Sequence, residues 1–187
     1  VKALSKLGHR ITVLHVSKLP TRDIYTSISK KVHKFREEYC TRYSIEIKTF
    51  AEGHFPKINY KNFCQAMMQL YEYAIKDGEK PDVLYAHFSL YAGFAAAKIK
   101  EKYKIPLMTL EHSSYLMSKS IKKFEAKCLG DVVKASDCFA AVSIGLKQAV
   151  KEHTGIKNKI LVIPNMIDDC FTYYPKKKHD VFTFLAI

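Results

Sequence analysis

The sequence has none of the compact signatures of phosphate-loop, dinucleotide, zinc or serine-hydrolase chemistry. It contains no GxxxxGK[ST], no GxGxxG, no HExxH, no Cys/His metal spacing and no GxSxG nucleophile elbow. Helix-turn-helix, RRM and zinc-finger patterns are also missing, so nucleic acid is not an expected partner. No apolar run approaches the ~20 residues of a membrane-spanning helix. The opening VKALSKLGHR carries lysines but no long apolar core or cleavage site, so it does not read as a signal peptide. The five cysteines, Cys40, Cys64, Cys128, Cys138 and Cys170, are odd in number and form no CxxC. They read as ordinary small core residues in a reduced, cytoplasmic setting rather than as a disulfide framework.

What is present is apolar and basic. Hydrophobic residues make up 48% of the 187, enough to build a core and too many for a disordered chain. The length suits one domain and the beginning of another. Lys and Arg number 31 against 18 Asp and Glu, a formal charge of +13. Such a surface favours phosphate-bearing partners, and peripheral contact with an anionic membrane is one of them.

The chain has a repeating rhythm. The β-runs DVLYA, PLMTL, CFAAV and KILVI are each followed by a polar knot: HFSL, EHSSY, SIG and PNMIDD. After the first three knots comes an amphipathic helix. The expected helices cover 90–103, 120–135 and 144–153, and the expected strands 83–86, 107–110, 138–142 and 160–163. Before them lie a helix end over 1–7 with Gly8 as its cap, a strand over 11–16, and a helix over 62–76. In that helix Phe63, Met67, Leu70 and Ala74 share a stripe. Residues 20–56 favour strands over 32–38 and 44–50, because Ile45, Ile47 and Thr49 alternate with polar residues; a helix over 27–39 competes. Lys176–Lys178 reads as a linker and Val181–Ile187 as a further strand. Alternating strands and helices predict an α/β fold: Rossmann-like, three-layer α/β/α, with a mostly parallel sheet.

In such sheets, ligands bind at the carboxyl ends of the strands, where these knots fall. His112 follows PLMTL directly. It is placed to hydrogen-bond a phosphate or sugar hydroxyl or to act as a base near neutral pH, or else to brace a neighbouring loop. His87 follows DVLYA in the same way, and Ser89 beside it also suits a helix N-cap. Ser143 with Gly145 opens a helix whose N-terminus suits an anion, although any capping serine looks alike. Asn165 and Asp168 sit in the turn after the last strand, where a structural role and a cleft-facing role are both open. The lysines of 98–104, 119–127 and 147–151 read mainly as solvated helix faces.

The ordered set LSKLGHRITVLHV, PDVLYAHFSLYAGFAAAKIKEKYKIPLMTLEHSS, ASDCFAAVSIGLKQAV and KILVIPNMID resembles the N-terminal, acceptor-side domain of retaining GT-B glycosyltransferases of the bacterial cell-surface-glycan type. The match is densest over 81–168 and poorest over 17–80. The resemblance implies two Rossmann-like lobes facing a cleft. Residues 1–175 would form the first lobe, and 176–187 the linker and first strand of a donor-binding lobe. It implies a nucleotide-sugar donor as co-substrate, a glycan or polyprenyl-linked acceptor, front-face transfer with retention, and neither metal nor other cofactor. It puts His112 near the transferred sugar, with His87, Glu111, Ser113, Ser143 and Asn165 along the cleft. Products of the family type are capsular and lipopolysaccharide glycans, made by enzymes at the inner face of the membrane.

Two departures stand out. Met166 replaces the glycine of the family's PNG motif, which is costly for a side chain if that position needs a positive φ. The family's first strand and its glycine turn do not precede the opening helix, so this polypeptide is expected to be inactive alone. Two rival readings fit the same sequence: a GT-B-shaped nucleotide-sugar epimerase, and a non-catalytic basic Rossmann-like module that binds anions or nucleic acid.

Overall fold

The computed structural model describes residues 1–21, 31–50, 55–118, 121–157 and 159–166. The expected Rossmann-like α/β arrangement is present. A short helix α1 (Lys2–Lys6) ends at Gly8, whose φ of +89° suits a residue without a Cβ. Strand β1 (Thr12–Thr21) runs parallel to β3 (Thr41–Phe50), and β2 (His33–Arg36) pairs antiparallel with β3. Strands therefore form where 32–38 and 44–50 predict them, and no described residue of the competing segment is helical. The alternation is the reason. Tyr43, Ile45 and Ile47 of β3 all point inward and are fully buried.

Helix α2 (Pro56–Lys76) is longer than its apolar stripe suggests, beginning at Pro56 rather than Asn62. Pro56 at the first helical position starts the helix instead of breaking it. The predicted stripe of Phe63, Met67, Leu70 and Ala74 is buried. Beyond it come β4 (Leu84–His87), α3 (Phe94–Tyr103), β5 (Leu107–Glu111), α4 (Lys123–Ala135), β6 (Cys138–Ala141), α5 (Ile144–Thr154) and β7 (Leu161–Val162). These four strands are parallel in the order β4-β5-β6-β7. Each helix carries the chain back, so all four strands end on one rim. The predicted strand over 181–187 and the linker at Lys176–Lys178 lie outside the described residues.

The helices α2, α3, α4 and α5 are successive neighbours. One core gathers Val16, Ile45 and Ile47 with Phe63 and Leu70 of α2 and Ala95 and Ile99 of α3. A second packs Leu129 and Val132 of α4 against Phe139 of β6 and Leu146 and Val150 of α5. The strands hydrogen-bond as two groups, β1-β3-β2 and β4-β5-β6-β7, with α2 and α3 joining them through the first core.

The helix expected over 90–103 is regular only from Phe94. Ahead of it runs a strained turn, Ser89–Gly93. That turn requires its glycine: a Cβ on Gly93 would stand 3.0 Å from the carbonyl oxygen of Phe88 and 3.1 Å from Cγ1 of Val132. Replacing Gly93 with Ala is expected to destabilise the fold by about 1–3 kcal/mol, measured by chemical denaturation. An unchanged denaturation midpoint would mean that the turn yields freely.

The lysine face of α3 pairs with acids more than sequence patterning suggests. Lys98 bonds Glu101, Lys100 bonds Asp137, and Lys102 bonds Glu72 of α2. These exposed pairs contribute little individually, but they neutralise much of that face.

Candidate functional site

The site is built from the ends of β4 and β5. Leu84–His87 of β4 pairs with Leu107–Leu110 of β5, so the chain leaves both strands side by side. His87 ends β4 and His112 follows β5 by one residue. Nδ1 of His87 and Nε2 of His112 are 3.2 Å apart, and the two rings stack with centroids 5.3 Å apart. In the neutral pair, one ring nitrogen donates and the other accepts. The bond occupies Nδ1 of His87 and Nε2 of His112, and among the described residues it is their one side-chain hydrogen bond. His112 is half-buried and His87 is exposed.

Two further rings extend the pair. Tyr85 lies 4.4 Å from the His87 ring, and Phe88 lies 5.5 Å from the His112 ring. Sequence reading missed both. Tyr85 had a signal, since period-2 alternation puts it on the face of His87. Phe88 had none, because alternation sends it to the opposite face. It reaches His112 through an unusual backbone, φ +69° and ψ +136°. Tyr91 in the same turn has φ +59°. Side chains rarely adopt such conformations, which cost of order 1–3 kcal/mol each and cluster at functional sites.

Glu111 is the fixed point beneath these loops. It is fully buried, and its carboxyl accepts hydrogen bonds from the Ser89 N–H (2.8 Å), the Ser89 hydroxyl and the Ser113 N–H (2.7 Å). One side chain thus ties the loop after β4 to the loop after β5. The resemblance placed Glu111 along the cleft, and the sequence pattern offered Ser89 as a substrate-binding residue or a helix cap. Both are instead fully buried and bonded to each other, because Glu111 continues the inward face of Leu107 and Thr109. Ser113 bonds Glu111 through its backbone, and its side chain accepts from the Tyr115 N–H to cap a short 3-10 turn at Ser114–Met117.

The remaining candidates lie further along the rim. Ser143 caps α5 by accepting from the Leu146 N–H at 3.1 Å. A Cβ on Gly145 beside it would meet the Met117 side chain at 3.5 Å, so the start of α5 abuts the loop after β5. Asn165 is exposed beyond β7, and Asp168 lies outside the described residues. Met166 is exposed and is not among the residues with positive φ, so no left-handed strain follows from replacing the family's glycine.

Electrostatics single out His87. Partial burial and the neighbouring His112 hold its pKa below the ordinary histidine value. The carboxyl of Glu111, next to His112 in sequence, is engaged by Ser89 and Ser113. A histidine with a depressed pKa holds fewer protons folded than unfolded. Its stabilising contribution is therefore lost as pH falls below about 6.5. The thermal midpoint is expected to fall between about pH 7.5 and pH 5.5, and His87→Gln to flatten part of that slope. An identical slope in the variant would refute the assignment.

Other features of the fold hold less chemistry. Burial pushes the Cys64 thiol up to about 12 and that of Cys128 up to about 11, so both are protonated at neutral pH, in keeping with a core role. A surface hollow of about 440 Å³ lies between α2 and α3, lined by Cys64, Met68, Glu72 and Lys98 among others, and not by the rim residues. Among the described residues, no three His, Cys, Asp or Glu side chains gather as metal ligands. No described helix is long and apolar enough to cross a membrane.

No curated protein matches the chain. A family model does: residues 1–170, which include both strand groups and the paired histidines, match Glycosyltransferase Family 4, and the chain belongs to that family.

Proposed function

We propose that this chain is the acceptor-side lobe of an enzyme that transfers a sugar, with retention, from a nucleotide-sugar donor to a glycan or polyprenyl-linked acceptor. One observation carries the reading: a half-buried histidine at the carboxyl end of β5, bonded to a second histidine at the end of β4, in a chain of a glycosyltransferase family. Polar groups on that rim are where an open α/β sheet meets its ligand. Nδ1 of His112 is the atom left for chemistry. It would hydrogen-bond a hydroxyl of the transferred sugar or hold the attacking acceptor hydroxyl in line. The proton of that hydroxyl passes to the departing phosphate as the new glycosidic bond forms on the same face. His87 fixes the orientation of the His112 ring, while Ser143 and Asn165 border the same cleft. No metal or cofactor enters this scheme. The donor is held by a second lobe opposite the rim. The enzyme would work in the cytoplasm, and its net basic charge favours peripheral contact with an anionic membrane.

The test is a transfer assay with the two-lobed enzyme, a panel of nucleotide sugars and a lipid-linked acceptor fraction. The expected product is a new glycoside whose anomeric configuration, read by NMR, equals that of the donor. Epimerised nucleotide sugar formed without acceptor would favour the epimerase reading. Salt-sensitive binding to arbitrary DNA with no transfer would favour the anion-binding module.

A further inference from the structure

The aromatic rings on the rim are not held there by the core. Phe88 is 48% exposed and Tyr85 is 41% exposed, so burial does not hold their rings in place. Yet Phe88 sits in a backbone region that side chains rarely adopt, and it is pinned on both sides. Its N–H bonds the Leu110 carbonyl at 2.9 Å, and its carbonyl accepts from the Gly93 N–H at 2.9 Å. The next residue, Ser89, is anchored to buried Glu111. Consecutive residues of an extended chain point to opposite faces. The reversal at Phe88 is what lets both His87 and Phe88 touch the ring of His112.

We infer that Phe88 is a substrate-binding residue. Its exposed ring, tilted 53° against that of His112, forms a platform for the C–H face of a pyranose beside the two imidazoles. The inference rests on the glycosyltransferase reading and extends it to a residue and a mode of contact. A pyranose presents a flat patch of C–H groups on one face and hydroxyls around its edge. An exposed phenyl ring matches the first, and the free imidazole nitrogens beside it match the second. A rigid ring held out before the ligand arrives loses little conformational freedom on binding. The sugar is either that of the donor or that of the acceptor, and the test separates the two.

Three variants of the full-length enzyme decide it. Phe88→Tyr is expected to keep KM for both substrates within about three-fold, whereas Phe88→Ala and Phe88→Leu raise KM for one of them about ten-fold. In the Ala and Leu variants kcat changes less than KM, and in all three the thermal midpoint holds, since the ring is exposed. The substrate whose KM moves identifies the sugar. The proposal is overturned if Leu serves as well as Tyr, if all three variants match wild type, or if Ala lowers the midpoint. A second measurement does not depend on turnover: saturation-transfer NMR with methyl α-D-glucopyranoside, its galacto and manno epimers, and UDP. Ring C–H signals from at least one pyranoside are expected with wild type and lost with Phe88→Ala. Absence of any pyranoside signal, or loss confined to the uracil protons of UDP, overturns the platform. Wild-type enzyme that transfers no sugar would defeat the function reading alone, and the NMR arm would still decide the role of Phe88.

Discussion

Replacing His112 with Ala is expected to lower sugar transfer by roughly 10²-fold or more while leaving the fold intact. The two halves of that expectation have separate causes. His112 is only half-buried, and among the described residues its one side-chain bond is to exposed His87, so the core does not depend on its ring. Its other nitrogen faces the place where sugar and acceptor meet in the proposed complex. Variants divide the possible roles. His112→Asn keeps a hydrogen-bonding group without a titrating nitrogen, so it recovers part of the rate if His112 only donates or accepts a bond. It recovers none if the ring must carry a proton. His87→Ala is expected to cost less than His112→Ala, because it removes the orienting partner and not the group that meets substrate. Transfer by His112→Ala within a few-fold of wild type would take His112 out of the mechanism.

How much of this was legible in the sequence depends on the range of the interaction. Local signals worked where one periodicity governed an element. The alternation of Ile45, Ile47 and Thr49 gave β3, and the stripe through Phe63 and Leu70 gave the body of α2. The start of α2 was missed because Asn59, Tyr60 and Asn62 are weak helix formers and Pro56 reads as a breaker; the buried ring of Tyr60, packed against Tyr91, Phe94 and Phe124, is a tertiary contact that no local pattern shows. His112 and His87 could be placed on one rim from their positions after consecutive parallel strands. Their direct contact could not, because it depends on the β4–β5 register, which no local pattern encodes. Phe88 was invisible for a stronger reason. Its conformation opposes the residue's own preference and exists only because Leu110, Gly93 and Glu111 hold it.

Glu111 is the instructive middle case, and it carries the second large effect. Beside His112 in the knot EHSSY, it was placed along the cleft by the family resemblance. The alternation of Leu107, Thr109 and Glu111 held the opposite message, since all three share the inward face of β5. Two predictions separate these readings. A cleft-facing carboxylate, changed to Gln, would alter KM and leave stability alone. A buried carboxyl that accepts from three donors must lose stability. In Gln one oxygen becomes an NH₂ group, which cannot accept from Ser89 or Ser113 and turns a donor toward a donor. Glu111→Gln is therefore expected to destabilise the fold by about 2–3 kcal/mol. Glu111→Ala also leaves a cavity and orphaned N–H groups, and is expected to cost about 3–5 kcal/mol, a fall of roughly 10 °C in thermal midpoint. Activity should fall as well, even at temperatures where the variant stays folded. Freed from Glu111, the turn that holds Phe88 relaxes toward ordinary backbone and the loops bearing His87 and His112 lose their common anchor. A Glu111→Gln enzyme with a wild-type midpoint and a raised KM would reverse this assignment and return Glu111 to the cleft.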